Sequence, residues 1–225
     1  MSATEKPIVL KSENNTWSFH GGIKLPGHKD MSTQKPISRM PSSKRYVVPL
    51  NQHMGAAGEI LVRSGDNVLK GQKLSVPQGL ISATVHSPVS GKVVEIAEHH
   101  FPHPSGLAGI CIVIENDHKD EWVQRNPIAD NYINTSPHDL RSIIRDAGIV
   151  GLGGATFPAA VKQTEVGIET LILNGVECEP YISCDDMLMR ERADEIVKGA
   201  KIIAYIIKAE QCIIAIEDNK PEAID

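Results

Sequence analysis

The chain has 225 residues, 41% hydrophobic and 23% charged, with a net charge of −5. An acidic balance and only 4% aromatic residues argue against a nucleic-acid surface, which needs cations for phosphates and rings for bases. No apolar run approaches the ~20 residues of a membrane span. The polar start MSATEKPIVLKSENN is no signal peptide, so a cytoplasmic chain is expected, touching a membrane only through partners.

Residues 1–45 are rich in Ser, Lys, Pro and Asn and read as an extended arm, ordered only where it packs on something. Within it, Phe19-His20-Gly21-Gly22-Ile23 and Pro26 form one turn signal. Residues 46–129 change to short β runs divided by turns: Tyr46–Leu50, Glu59–Val62, Val68-Leu69, Ala83–Val85 and Lys92–Ile96. The pattern Gly65-Asp66, Val68, Gly71-Gln72, Leu74, followed by Ser87–Val93, resembles the barrel-sandwich hybrid of biotinyl and lipoyl carriers. Carriers modify a lysine at the hairpin tip. Here the tip, Ser75–Ser82, has none, so an unmodified structural module is expected.

Residues 130–225 have α/β texture. Ser136 is a good N-cap, Pro137 suits the first turn, and Leu140, Ile143, Ile144 and Ala147 recur at helical spacing until Gly148. Pro158 reads as the first residue of a short helix through Val161. Thr170–Leu173 is a continuous apolar run, as in a strand covered on both faces. A long helix is expected from about Met187 to Ala209, with Ala193, Ile196, Val197, Ala200, Ile203, Ala204 and Ile207 as its buried stripe. Gln211–Ile216 is the next strand. Alternating helices and strands with short connections predict a largely parallel sheet.

The chemistry concentrates in two segments. Gly151-Leu152-Gly153-Gly154-Ala155-Thr156-Phe157-Pro158, with Lys162 one turn on, bares main-chain amides ahead of a helix start, which suits a phosphate. Asn174-Gly175-Val176-Glu177-Cys178-Glu179-Pro180-Tyr181 follows a strand at its carboxyl end, where open α/β sheets gather ligands. There Asn174 offers donor and acceptor atoms, and Glu177 and Glu179 accept hydrogen bonds from nucleotide hydroxyls or an amide. Asp185 and Asp186 read as first-turn caps of the following helix. Cys111 and Cys212 read as buried small hydrophobes. Cys178 and Cys184 share a polar loop without metal-ligand spacing, and His99, His100 and His103 read as solvated loop residues, so no metal is expected.

GLGGATFPAAVK and LILNGVECEPYISCDDMLMRE, with FHGGIKLPGHK and IEDNKPEAI, resemble the C subunit of the Rnf (Rsx) ion-translocating electron-transport complex. More distantly they are similar to the NADH-oxidising flavin subunit of respiratory complex I. The resemblance implies a β barrel-sandwich-hybrid module followed by a partial, Rossmann-like α/β domain that binds FMN and NAD(H). It implies Gly151, Gly153, Gly154 and Lys162 at the flavin loop, Phe157 beside the nucleotide path, Asn174 on the flavin, and Glu177, the candidate catalytic residue, near the nicotinamide. Thr156 stands where the family usually has glycine, Val176 where complex I has aspartate, and Lys24 where histidine is common. Proteins of this family continue past Asp225 into [4Fe–4S] ligand runs, so this chain is expected to be an N-terminal portion, inactive alone. The implied partners are the other Rnf subunits, NADH and, indirectly, ferredoxin, at the cytoplasmic face of the cell membrane. The rival reading is a non-catalytic docking piece of the same complex.

Overall fold

The computed structural model describes residues 9–10, 20–21, 25–103, 105–152, 154–163 and 168–225. In chain order its elements begin with β1 (Val9–Leu10), β2 (Arg45–Pro49), β3 (Glu59–Ile60), β4 (Asn67–Val68), β5 (Ser75–Val76), β6 (Gly91–His100) and β7 (Ala108–Asn116). They continue with α1 (Pro137–Asp146), α2 (Ala159–Lys162), β8 (Thr170–Asn174), α3 (Cys184–Ile207), β9 (Gln211–Ala215) and α4 (Pro221–Ile224). Two compact units result: Pro41–Thr164, and Met1–Met40 together with Glu165–Asp225.

The continuous unit is built on an antiparallel sheet of order β2-β7-β6-β4, beside the small β3-β5 pair. β7 supplies a fully buried run, Cys111 to Ile114, between its two neighbours. Leu50, Val68, Leu74, Val93 and Ile112 meet in the core, each worth about 1.5–3 kcal/mol in transfer from water. Ala83–Val85, expected as a strand, forms no strand. Val85 O accepts the Leu74 and Ser75 N–H groups (2.8 and 3.3 Å), but Val85 N–H turns to Ser75 Oγ (3.2 Å), so the pairing is irregular. β6 runs four residues beyond the expected Ile96, to His100.

α1 follows its sequence signals. Ser136 Oγ accepts the Asp139 N–H at 3.1 Å, and Gly148 turns the chain at φ +69°, where a Cβ would lie 2.2 Å from Thr84 O. Cys111 is buried as expected, and burial raises its thiol pKa.

In the discontinuous unit the strands run parallel in the order β1-β9-β8, with Thr170 to Asn174 in register with Gln211 to Ala215. Val9–Leu10 of the amino-terminal arm thus forms an edge strand. The sheet is not covered on both faces, contrary to expectation: Ile172 is 60% exposed, and Ile213, its register partner, is also exposed. α3 starts at Cys184, three residues before the expected Met187, and is kinked at Arg192 (φ −135°, ψ 27°). The kink interrupts the helical phase. Ala193 therefore faces solvent and Ile206 joins Ala200, Ala204 and Ile207 in the buried set. Cys212 is buried, with its thiol pKa raised by that burial. No described helix is long and apolar enough to cross a membrane.

Candidate functional site

The glycine loop belongs to the continuous unit. A β-bridge joins Val150 to Pro158, Gly151 N–H donates to Phe157 O (2.8 Å) and Ala159 N–H to Ile149 O (3.0 Å). These bonds pin the loop at its base and leave its tip outward: Leu152 is 85% exposed. Gly154 has φ +112° and open space where a Cβ would stand, so a ligand can reach its main chain. Among the described residues, the amides of Gly154 and Ala155 find no acceptor. Gly153 lies outside the described residues. Thr156 adopts φ +45°, a costly conformation for a β-branched residue. Strain of this kind collects at ligand clamps.

Pro158 is the N-cap of α2 rather than its first residue, with φ −57° and ψ 120°. α2 is one turn long, so its dipole is small. The anion-binding capacity therefore rests on the bare loop amides. Lys162 is exposed and stands 5.5 Å over the Phe157 ring, bringing a positive charge to this segment.

The acidic loop belongs to the discontinuous unit. Asn174 ends β8 and is exposed; its Oδ1 accepts the Val176 N–H (3.2 Å). Glu179 is exposed as well. Glu177 is only 3% exposed. Its Oε1 accepts the Asp185 N–H at 2.7 Å, so Glu177 rather than an aspartate caps α3. Its Oε2 lies 3.9 Å from Lys29 Nζ and 3.8 Å from Lys220 Nζ. Lys29 Nζ also donates to the Glu177 carbonyl. Lys220, 4% exposed, continues the network to Asp186 Oδ2 (3.3 Å), and Arg190 donates from Nε to Asp186 Oδ1 (2.7 Å) and from Nη2 to Oδ2 (2.9 Å).

Sequence reasoning missed Lys29, Lys220 and Arg190. Lys29 and Lys220 are remote in sequence from Glu177 and carry no local signal. Arg190 was legible as the i+4 partner of Asp186. The arm segment that supplies Lys29 packs further on this loop: His28 stacks on Tyr181 (5.0 Å between centroids), Tyr181 N–H donates to Gly27 O (2.8 Å), and Ser32 Oγ donates to Tyr181 O (2.8 Å). Lys24 and Phe19 of the same segment lie outside the described residues.

Glu177, Cys184 and Asp185 bring ligand-type atoms within 4.8 Å of one another. Burial, then the Glu177 carboxylate, raises the Asp185 pKa, and burial first raises that of Cys184. Both keep their protons more readily than usual, and two ammonium groups already face Glu177. The cluster is a poor cation site. Of the histidines expected in a loop, His99 and His100 lie in β6, which extends past the expected end, and His99 Nε2 lies 3.4 Å from Glu95; His103 Nδ1 lies 2.8 Å from Ser105 Oγ.

A β module carrying no modifiable hairpin lysine, followed by an open glycine loop and a parallel β-α-β segment, marks a structural module joined to an α/β segment whose loop suits a phosphate. Residues 17–119 match the RnfC Barrel sandwich hybrid domain, and residues 144–225 match the Nuo51 FMN-binding domain. Three similar proteins are each named as the C subunit of an ion-translocating oxidoreductase complex. The protein of Haemophilus influenzae (strain PittEE) is 49% identical over 210 residues, covering 92% of this chain and 32% of the relative. That of Actinobacillus succinogenes is 48% identical over 220 residues, 97% of this chain and 31% of the relative. That of Pseudomonas aeruginosa is 48% identical over 210 residues, 92% of this chain and 27% of the relative. The chain belongs to this family of C subunits of ion-translocating oxidoreductase complexes and spans less than a third of the length of these relatives.

Proposed function

We propose that the chain is the flavin-binding part of an electron-transport subunit that takes reducing equivalents from NADH through FMN. The observation that carries this reading is the open loop at Gly151–Pro158, where the amides of Gly154 and Ala155 have no acceptor among the described residues, inside a segment matching an FMN-binding domain. The residues fit a phosphate: bare N–H donors, room for close approach and a nearby cation in Lys162. In this reading Gly151, Gly153, Gly154 and Lys162 hold the phosphate and Phe157 flanks it; Asn174 and Glu179, both exposed in the discontinuous unit, are hydrogen-bonding groups of the kind that take nucleotide hydroxyls or a carboxamide. Glu177 acts through the loop: it fixes the backbone that presents those groups to the nicotinamide. When bound, FMN supplies the conversion of a two-electron donor into single-electron steps. No side chain here has to act as a general base.

The proposal extends to the setting. The longer relatives' remaining length would hold the [4Fe–4S] clusters, and the other subunits of the complex and a ferredoxin would be the redox partners. The location would be the cytoplasmic face of the membrane that carries ion translocation. By module, residues 1–45, 46–129 and 130–225 would be arm, barrel-sandwich hybrid and flavin domain.

Adding FMN to the purified chain and following flavin fluorescence and absorbance near 450 nm tests the reading. Saturable uptake supports it. A colourless chain that takes up no FMN supports a docking piece instead. In the full-length protein, Glu177→Gln is expected to weaken NADH use while FMN stays bound; unchanged NADH kinetics would remove the role given to Glu177.

A further inference from the structure

In carrier domains the hairpin of a barrel-sandwich hybrid is a presenting arm. Here the equivalent hairpin is tied down on two sides within the continuous unit. On one side Arg145, in the last turn of α1, donates from Nη2 to Gly79 O (2.5 Å). Thr84 Oγ1 donates to Arg145 O (3.4 Å), and Lys73 pairs with Asp146 (2.7 Å). On the other side Ala56 N–H donates to Ile81 O (3.1 Å) and Ser82 Oγ to Ala56 O (2.8 Å).

His53 closes this second side. It is 6% exposed. Its Nδ1 lies 3.1 Å from Met54 O, and its Nε2 lies 3.2 Å from Ala83 N and 3.1 Å from Ala83 O. The tautomer assigned from these partners donates Nδ1–H to Met54 O and accepts the Ala83 N–H at Nε2. The next bond reaches the glycine loop: Met54 N–H donates to Thr156 O at 3.2 Å. Thr156 is the strained residue of that loop, and a strained residue persists only where its surroundings over-determine it.

We propose that the β-module hairpin is a strut for the glycine loop and that His53 is a positioning residue for FMN binding. The chain of contacts runs from the hairpin through the His53 ring to Met54, and from Met54 N–H to the carbonyl of Thr156. α1, fixed to the same hairpin by Arg145, leads directly into the loop at Val150. The loop is thus held at its tip side and at its entry by one element. The hairpin lacks a modifiable lysine because it no longer presents a group; it props a neighbouring backbone. The proposal rests on the flavin reading of the loop only for its ligand.

Two measurements on this chain separate the strut from that reading. The first is FMN affinity, by quenching of flavin fluorescence. The second is hydrogen exchange at the Gly151 and Ala159 amides without FMN. His53→Leu, which removes both ring bonds, is expected to weaken FMN binding about tenfold and to speed exchange at both amides about tenfold. Arg145→Met, which removes the bond to Gly79 O, is expected to act in the same direction by about threefold. His53→Gln, which keeps one donor and one acceptor, should recover part of the loss. Val93→Ala, in the same core but off the strut, is the control: it lowers stability and should leave loop exchange and FMN affinity at wild-type values. The strut is overturned if Val93→Ala matches His53→Leu in both readouts, or if His53→Leu and Arg145→Met leave loop exchange unchanged. A wild-type chain that takes up no FMN removes the flavin reading alone, and the exchange comparison still decides the strut.

Discussion

Replacing Lys220 by Met tests the buried charge network around Glu177 and Asp186. Its ammonium lies 3.3 Å from Asp186 Oδ2 and 3.8 Å from Glu177 Oε2, and all three side chains are buried. At an effective dielectric near 20 each pair is worth on the order of 4–5 kcal/mol before desolvation is subtracted. Removing one member of a buried pair typically costs about 3–5 kcal/mol, because the partner charge stays behind unpaired. Here the partners are not abandoned. Asp186 keeps both Arg190 nitrogens, while Glu177 keeps Lys29 and the Asp185 N–H. The expected loss is therefore about 2–3 kcal/mol, below the usual range. Urea unfolding followed by helical circular dichroism reads it directly. The double variant with Glu177→Gln should lose less than the sum of the singles, with a coupling of about 1 kcal/mol or more. A Lys220→Met chain within about 0.5 kcal/mol of wild type would refute the reasoning, since that is the scatter of ordinary surface substitutions.

Thr156→Gly should stabilise the chain by about 0.5–1 kcal/mol: relief of the left-handed conformation exceeds the entropy glycine gains when unfolded; calorimetry reads the change. Ser136→Ala removes the α1 cap and should cost about 1 kcal/mol in the same unfolding assay. His86 has a pKa below its ordinary 6.5, first because of burial and then because of the Lys73 ammonium. Its proton is held more readily by the unfolded chain, so its contribution is complete above pH 6.5 and is lost as pH falls through the lower folded value. Unfolding midpoints measured between about pH 5 and 8 should decline on the acid side, and His86→Gln should flatten that decline.

What was legible in the sequence was local. Ser136, Pro137 and Gly148 bounded α1 because caps and stops are written into neighbouring residues. The turn glycines and alternating valines located β2, β4 and the start of β6. The loop from Gly151 to Pro158 was legible for the same reason, since positive φ and missing Cβ atoms are properties of the residues themselves. What escaped was non-local. The placement of Lys29 and Lys220 on Glu177 depends on chain closure over long sequence separations. The Arg192 kink defeated a stripe that assumed one unbroken helical phase. Ala83–Val85 has strand composition, but its pairing is irregular because the Val85 N–H goes to a serine hydroxyl while its carbonyl still accepts backbone bonds. Its place after a strand end located the acidic loop but gave no hint that the Glu177 carboxylate is buried.

The order β1-β9-β8 has a consequence for synthesis. Val9–Leu10 leaves the ribosome well before its pairing partner, the sequence-remote Gln211-Cys212. At about 5–20 residues per second the first strand waits on the order of 10–40 s for that partner. Pro41–Thr164 is continuous and has all of its own strands long before then. Val9–Leu10 must therefore stay unpaired until Gln211-Cys212 has been made, so this edge of the parallel sheet closes after the continuous unit has its strands.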